Sequence, residues 1–280
     1  MQDQLLELTG LLQSMGTVAV GFSGGVDSTF LAAVCARCIP ERTHLIHLNS
    51  PFTGTPERDS VNASVRQLGL PVTIVEMDPF ADPLVAANPK DRCYHCKLAG
   101  FTRIAQTASQ LGADTVLEGS NADDAQDFRP GMRAIAELGV RSPLMETGWH
   151  KEQERGLLRE WGFPVWDLPA GACLATRIAC GQSLTPQTIA AIRRCEDLLS
   201  SLGLIQVRAR VNGASLRIDA CDHDLDLLVG LGGARLDPDH VSLPPQVASQ
   251  LKETASLDDD SPVAFIEPVA RAYRKGAMNG

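Results

Sequence analysis

Ser23-Gly24-Gly25-Val26-Asp27-Ser28 sets two glycines between hydroxyl side chains, directly after the apolar run Thr17-Val18-Ala19-Val20-Gly21-Phe22 and before the helix-like run Phe30-Leu31-Ala32-Ala33-Val34. A strand, a glycine turn and a helix start in that order make an anion site. The glycines let the backbone pass close to a phosphate, the helix start offers unpaired N–H groups, and Ser23 and Ser28 add hydroxyl donors. No Gly-Lys-Ser/Thr follows, which excludes a Walker loop. Asp27 either orients the serines or helps hold Mg²⁺ beside the phosphates. The alternative, a small-residue turn with no ligand, fits poorly with a strand before, a helix after and Asp27 between.

A second group of residues points to sulfur or metal chemistry. Cys93 and Cys96, in Arg92-Cys93-Tyr94-His95-Cys96-Lys97, are expected in a loop preceding a helix, and a C-x-x-C pair binds one metal ion or cluster. Cys173, in Gly171-Ala172-Cys173-Leu174-Ala175-Thr176-Arg177, is the third candidate ligand: its small neighbours allow close approach, and the charge of Arg177 favours the thiolate. Cys180 is an ambiguous fourth. A structural zinc completed by His95 or Cys180 is the competing reading of the same spacing. Cys35 and Cys38 lie on the apolar helix after the glycine turn and read as packing residues, as do the isolated Cys195 and Cys221. Arg208 and Arg210 alternate onto one face of a strand, with Arg177 before them and Glu196 on the helix between; guanidinium forks suit a phosphate, and a solvated sheet face is the alternative.

These groups need a scaffold, and the 280-residue chain, 44% hydrophobic, is long enough for one large domain or two smaller ones. Apolar runs at Thr43 to Leu48, Pro71 to Met77 and Thr115 to Glu118 alternate with helix-like stretches near Pro56 to Leu68, Leu98 to Leu111 and Gly131 to Leu138. That rhythm predicts an α/β fold, a parallel sheet with crossover helices. Ligands in such sheets bind beyond the carboxyl ends of the strands, where Ser23 to Ser28, Asn49-Ser50 and Gly119-Ser120-Asn121 fall. After a helix from Lys151 to Trp161, the turn-rich stretch from Phe163 to Gly171 marks a boundary, which divides the chain into domains 1–168 and 169–280. The second is expected to be a smaller α+β unit: a helix from Pro186 to Leu202, then strands Ile205 to Arg210 and Ser215 to Asp219 around Asn212-Gly213. The proline-rich stretch from Gly230 to Pro262, with Asp258-Asp259-Asp260, is expected to hold little regular structure.

The net charge of −9 repels a polyanion unless basic residues gather on one face, so a nucleic-acid partner is not expected. No basic-then-apolar leader and no apolar run of about 18 residues is present, so no membrane association is expected. A cytoplasmic setting follows, in which the eight cysteines are reduced thiols.

The S-G-G-x-D-S pattern resembles the PP-loop of the ATP pyrophosphatases. Over nearly its whole length the chain resembles the LarE family of ATP-dependent sulfur transferases. The shared motifs run in order: S-G-G-V-D-S, R-C-Y-H-C-K at 92–97, E-G-S-N-A-D-D at 118–124 and D-F-R-P-G-M-R-A-I-A-E-L-G-V-R-S-P-L at 127–144. C-L-A-T-R at 173–177, V-R-A-R at 207–210 and Y-R-K-G-A-M-N from Tyr273 complete the set. The resemblance implies a PP-loop (adenine nucleotide α-hydrolase-like) domain that binds ATP and Mg²⁺ through Ser23, Gly24, Gly25, Val26, Asp27, Ser28, Ser50, Gly119 and Asn121. It implies adenylation of a pyridinium mononucleotide carboxylate and its conversion to a thiocarboxylate, in the making of the nickel-pincer nucleotide cofactor of lactate racemase. Cys173, Asp27 and Arg177 would be catalytic, and Arg208, Arg210 and Glu196 would serve the substrate phosphate.

Family members with only the cysteine that Cys173 resembles sacrifice its sulfur. Those with the added pair are thought to hold a 4Fe-4S cluster through three cysteines, fed by sulfide or another sulfur donor. The presence of Cys93, Cys96 and Cys173 favours the cluster. One departure stands out: relatives usually carry a Pro-Tyr-Gly-like turn after C-L-A-T-R, and here it is Ala179-Cys180-Gly181. The family's ring-like assemblies imply a homo-oligomer. Competing functions are a tRNA thiolation enzyme, an amidating ligase related to NAD or GMP synthetases, and a nucleotide sensor without turnover. Strongly salt-dependent tRNA binding, activity surviving loss of Cys173, and absence of substrate-dependent pyrophosphate release would mark them, respectively.

Overall fold

The computed structural model describes residues 1–126, 130–169, 171–257 and 263–274. They form two compact units: one of Met1–Ser50, Pro56–Asp78 and Asp91–Gly171, the other of Pro51–Thr55, Pro79–Lys90 and the chain from Ala172 onward.

The first unit runs α1 (Gln2–Gln13), β1 (Val18–Gly21), α2 (Val26–Cys38), β2 (Thr43–Asn49), α3 (Thr55–Leu68) and β3 (Val72–Glu76). After the short α4 (Pro83–Ala86) of the other unit come α5 (Arg92–Gln110), β4 (Thr115–Leu117), α6 (Pro130–Glu137), α7 (Pro143–Glu146) and α8 (Lys151–Glu160). The four strands pair in the order β3-β2-β1-β4, all parallel, with Val18 opposite both Thr43 and Thr115. This is the expected α/β sheet. Successive residues of β1 and β2 point to opposite faces, and both faces are apolar, as a sheet covered on two sides requires. Val18, Val20 and Leu45 join Leu8, Phe30, Trp149 and Leu158 in one cluster, while Ala19 and Ile46 pack with Ile104 and Ala108 in another. Helix α2 is buried nearly all round, and Cys35 lies inside it at 0% exposure with Cys38 packed against the cluster, so burial pushes both thiols up, away from reactive thiolate.

Helix α5 begins earlier than its apolar spacing suggests. The expected start at Leu98 moves to Arg92, so Cys93 and Cys96 sit in its first two turns and not in a preceding loop. The polar stretch Arg92 to Lys97 lacks an apolar stripe because that end of the helix is only partly covered, yet no Pro or Gly interrupts it.

The second unit contains α9 (Pro186–Ser201), β5 (Val207–Asn212), β6 (Ser215–Ala220), α10 (Asp222–Gly230), β7 (Arg235–Asp237), β8 (His240–Ser242), α11 (Pro245–Ala255), β9 (Phe265–Ile266) and β10 (Val269–Ala272). Thr185 caps α9 by accepting from Thr188 N, with Pro186 at the first helical position. β5 and β6 form the expected hairpin, Asn212 opposite Ser215, in a mixed sheet ordered β5-β6-β10-β8-β7. The segment after Gly230 is more regular than its prolines suggest. Pro245 opens α11 instead of breaking it, and Val247, Leu251 and Ala255 recur at helical spacing on its buried face. The acidic run 258–260 lies outside the described residues, as do 127–129 of the 127–144 motif and the last residues of the motif that starts at Tyr273.

Candidate active site

In the first unit the glycine turn joins β1 to α2. Gly24 has φ +79, and a Cβ on it would stand 2.4 Å from Val61 Cγ2 and 2.9 Å from Glu57 O, so both the backbone angle and the space require glycine. Ser60 donates to Gly24 O at 2.7 Å. Ser23 and Ser28 meet hydroxyl to hydroxyl at 3.0 Å, and Ser28 Oγ also donates to Gly25 O at 3.2 Å. Gly25 is the N-cap of α2, and the ladder starts with Thr29 N on Gly25 O at 3.0 Å, so the N–H groups of Val26, Asp27 and Ser28 precede it. Gly119, at the end of neighbouring β4, backs onto this turn: a Cβ there would lie 2.8 Å from Ser28 N and 3.1 Å from Asp27 C. Ser50, beyond β2, accepts from Arg58 Nη2 at 3.0 Å through its carbonyl.

Asp27 does not bond the serines. Its Oδ1 accepts from Asn121 Nδ2 at 3.3 Å and its Oδ2 pairs with Lys151 Nζ at 3.1 Å. Asn121 is 1% exposed and its amide orientation is settled, because Oδ1 accepts from Asp123 N at 3.1 Å and leaves Nδ2 as the donor to both Asp27 and Glu154 Oε1, the latter at 3.1 Å. Glu154 is fully buried, and no donor faces its Oε2 among the described residues. Burial, then the hydrogen bond and charge of Asp27, push its pKa up to about 9, so it is a neutral acid at neutral pH. Lys151 and Glu154 carry no motif in the sequence. The one signal is a glutamate in line with the buried Leu157 and Leu158 on α8, a charge inside an apolar stripe.

Beside this network Glu118 accepts from Ser120 N at 3.0 Å, from Ser120 Oγ at 2.8 Å and from Ser142 Oγ, while Lys97 Nζ approaches to 3.7 Å. Lys97 thus follows the cysteine pair on α5 and points to the end of β4. Cys93 is exposed and Cys96 half-buried, one turn apart at the N-terminus of α5, with Arg92 Nη2 donating to Cys93 Sγ at 3.5 Å. His95, the alternative zinc ligand, pairs instead with Asp91 Oδ2 at 3.3 Å. Among the described residues no three His, Cys, Asp or Glu side chains are gathered for a metal ion. The donor chemistry of the α5 pair itself, two thiols on one helix face, is of a kind that iron takes.

In the second unit Cys173 begins the 174–177 turn. Its carbonyl accepts from Thr176 N at 2.9 Å and Thr176 Oγ1 at 2.7 Å. Arg177, 2% exposed, is gripped by Glu196 in a two-pronged pair, Nε to Oε1 at 2.8 Å and Nη2 to Oε2 at 3.1 Å, and donates to Ala172 O at 2.9 Å. Glu196 Oε1 also accepts from Ala209 N at 2.9 Å, tying the turn that carries Cys173 to β5. Arg208 and Arg210 are buried and flank Tyr273, their guanidinium carbons 5.6 and 5.8 Å from its ring centre. Arg210 is locked onto the buried Asp219, which also takes Arg217 at 2.8 Å, and donates to Thr176 O at 3.2 Å. Cys180, exposed, donates to Asn88 O at 3.6 Å. Cys195 is a core residue, its thiol pushed up to about 12 by burial.

The sequence profile of the NAD synthase family matches residues 6–94, which span the glycine turn and the first three strands. An uncharacterized protein of Synechocystis is 33% identical over 219 residues, 78% of this chain and 82% of its own. The pyridinium-3,5-bisthiocarboxylic acid mononucleotide synthase of Lactiplantibacillus plantarum is 30% identical over 213 residues, 76% of this chain and 77% of that enzyme. The chain belongs to the LarE family. Its glycine turn is accordingly a PP-loop, and the chain is an ATP-dependent sulfurtransferase. A cytoplasmic tRNA 2-thiolation protein of Aspergillus niger is also 30% identical to this LarE family member, but over only 42% of this chain and 38% of that protein. No described helix of this LarE family member is long and apolar enough to cross a membrane.

Proposed function

We propose that this enzyme adenylates a carboxylate of a pyridinium mononucleotide and exchanges its oxygen for sulfur, giving a thiocarboxylate for nickel-pincer nucleotide biosynthesis in the cytoplasm. The likeness to the synthase of L. plantarum through three quarters of both chains carries this reading. In the first half-reaction the carboxylate oxygen attacks the α-phosphorus of Mg–ATP and pyrophosphate leaves. In the second a sulfur nucleophile attacks the acyl carbon and AMP leaves, which replaces a poor leaving group by a good one.

Residues 1–168 handle ATP. Ser23, Gly24, Gly25, Val26 and Ser28 take the departing pyrophosphate on the start of α2, Ser50 borders the nucleotide beyond β2, and Gly119, Asn121 and Asp27 hold the loop and Lys151 in shape. Residues 169–280 handle substrate and sulfur. Arg208 and Arg210 take the mononucleotide phosphate, while Glu196 sets Arg177 and so the turn bearing Cys173. Arg208→Ala is expected to raise KM for the mononucleotide by about tenfold or more, the worth of a charged hydrogen bond, with KM for ATP unchanged. Unchanged mononucleotide KM would remove Arg208 from the phosphate site.

Cys93, Cys96 and Cys173 are the ligands of a 4Fe-4S cluster, with Cys180 outside the set. Bound by three thiolates, such a cluster supplies one open coordination position for a transferable sulfide. Sulfide or another sulfur donor replenishes it, the protein acts as a homo-oligomer, and neither nucleic acid nor membrane is a partner. Iron and acid-labile sulfide on protein purified without oxygen test this. About four of each per chain, lost in Cys93→Ala, are expected from the cluster type. Protein without iron, whose Cys173 has lost one sulfur by mass after turnover, would assign the sulfur to that cysteine instead.

A further inference from the structure

Glu154 is the one fully buried carboxyl of α8, and it faces the ATP loop with half of its hydrogen-bonding capacity unspent. Its Oε1 accepts from Asn121 Nδ2 at 3.1 Å, and the same nitrogen donates to Asp27 Oδ1 at 3.3 Å. One amide therefore bridges two carboxyl groups from two helices, α2 and α8. Two carboxylates so placed would repel, and an amide shared between them cannot offset the fully buried charge of Glu154 beside the half-buried Asp27. A single proton resolves the conflict: held on Oε2, which no donor faces among the described residues, it turns Glu154 into a donor toward Asp27 and closes the triangle Asn121–Asp27–Glu154. Asp27 is then left as the anion of the group, with Lys151 against its other oxygen at 3.1 Å.

From this geometry we infer that Glu154 is a positioning residue, a carboxylic-acid strut that holds Asp27, and through it Lys151, in the arrangement that receives the phosphates of ATP. The inference rests on the proposed ATP site. Glu154 does not touch ATP itself; it acts through Asp27 and Asn121. Its place on the first turn of α8, three residues from Lys151, couples the two ends of the contact: when Glu154 is tied to Asp27, the lysine on the same turn is carried to the other oxygen of the same carboxylate. Glutamine can replace the acid in this role, since its carbonyl accepts from Asn121 and its NH₂ donates to Asp27. Methionine fills the volume without either bond, and aspartate keeps the acid but falls one methylene short.

The test is steady-state pyrophosphate release against ATP concentration for the wild type, Glu154→Gln, Glu154→Met and Glu154→Asp, each with its Tm. Glu154→Gln is expected to keep KM for ATP within about twofold of wild type, whereas Met and Asp each raise it roughly tenfold, the loss of one buried hydrogen bond, with a smaller change in kcat. A residue that only packs would lower Tm in the Met and Asp variants and leave KM for ATP where it was, which would overturn the inference. KM raised in Gln as much as in Met would overturn it too, because the neutral donor would then not be the working form. If Glu154→Met does not fold, the Asp and Gln pair decides on the same criterion. A wild type that does not bind ATP by calorimetry would instead remove the ATP site on which the inference stands.

Discussion

Cys173→Ser is expected to release pyrophosphate from ATP in the presence of the pyridinium mononucleotide and to form no thiocarboxylate, a loss on the order of 10³-fold or more, as for removal of a group on which one chemical step depends. The substitution exchanges one exposed atom. The turn at 174–177 is held by the carbonyl of Cys173, through Thr176 N and Oγ1, and by Arg177 on Ala172 O, none of which involves the thiol. Glu196 still fixes Arg177 and β5, so the arginines of that strand stay in place. The adenylate therefore forms and waits for a sulfur that does not arrive. Mass spectrometry of the product decides the matter: thiocarboxylate at wild-type rate from Cys173→Ser would remove the cysteine from sulfur delivery, and loss of pyrophosphate release along with it would place Cys173 in the first half-reaction.

Gly119→Ala is expected to weaken ATP binding by about 100-fold, because the new methyl group meets backbone and not a side chain that could turn aside. Its Cβ would stand 2.8 Å from Ser28 N and 3.1 Å from Ser28 Cα, so the first turn of α2 must move by several tenths of an ångström. That turn carries the N–H groups offered to phosphate, and an anion site made of backbone donors loses its geometry when the backbone shifts. Gly10→Ala is the matched control. Gly10 is an exposed position within α1 with nothing within 4 Å of its Cβ, so alanine there should stabilise by roughly 0.5–1 kcal/mol and leave ATP affinity unchanged. ATP affinity by calorimetry, with Tm for both variants, checks the pair. A Gly119→Ala protein that binds ATP like wild type would mean that Gly119 does not abut the phosphate-binding turn.

Local pattern carried much of the architecture. Val18, Val20 and Leu45 on one face and Ala19 and Ile46 on the other are apolar on both sides because the sheet is covered on both, and a run of that kind reads as a buried parallel strand without any tertiary information. The turn after β1 was legible for a similar reason: Gly24 needs its positive φ and Ser28 its place on the first helical turn, and both are properties of six consecutive residues. Where covering partners decide the outcome, local pattern failed. The Arg92 to Lys97 stretch is helical without an apolar stripe, and the prolines at 244 and 245 start a helix because Val247, Leu251 and Ala255 find a surface to pack on.

The order of strands and helices, the PP-loop, the cysteine pair and the arginine-bearing strand are determined by the sequence alone, since each depends on neighbours within a turn or a strand. The partners of the charged groups are decided by the tertiary structure. Asp27 meets Asn121 and Lys151, and Arg210 meets Asp219, only because distant segments pack side by side. Glu154 is a neutral acid only because that packing excludes water from it, and the energy of burying a charge depends on surroundings that no stretch of sequence contains.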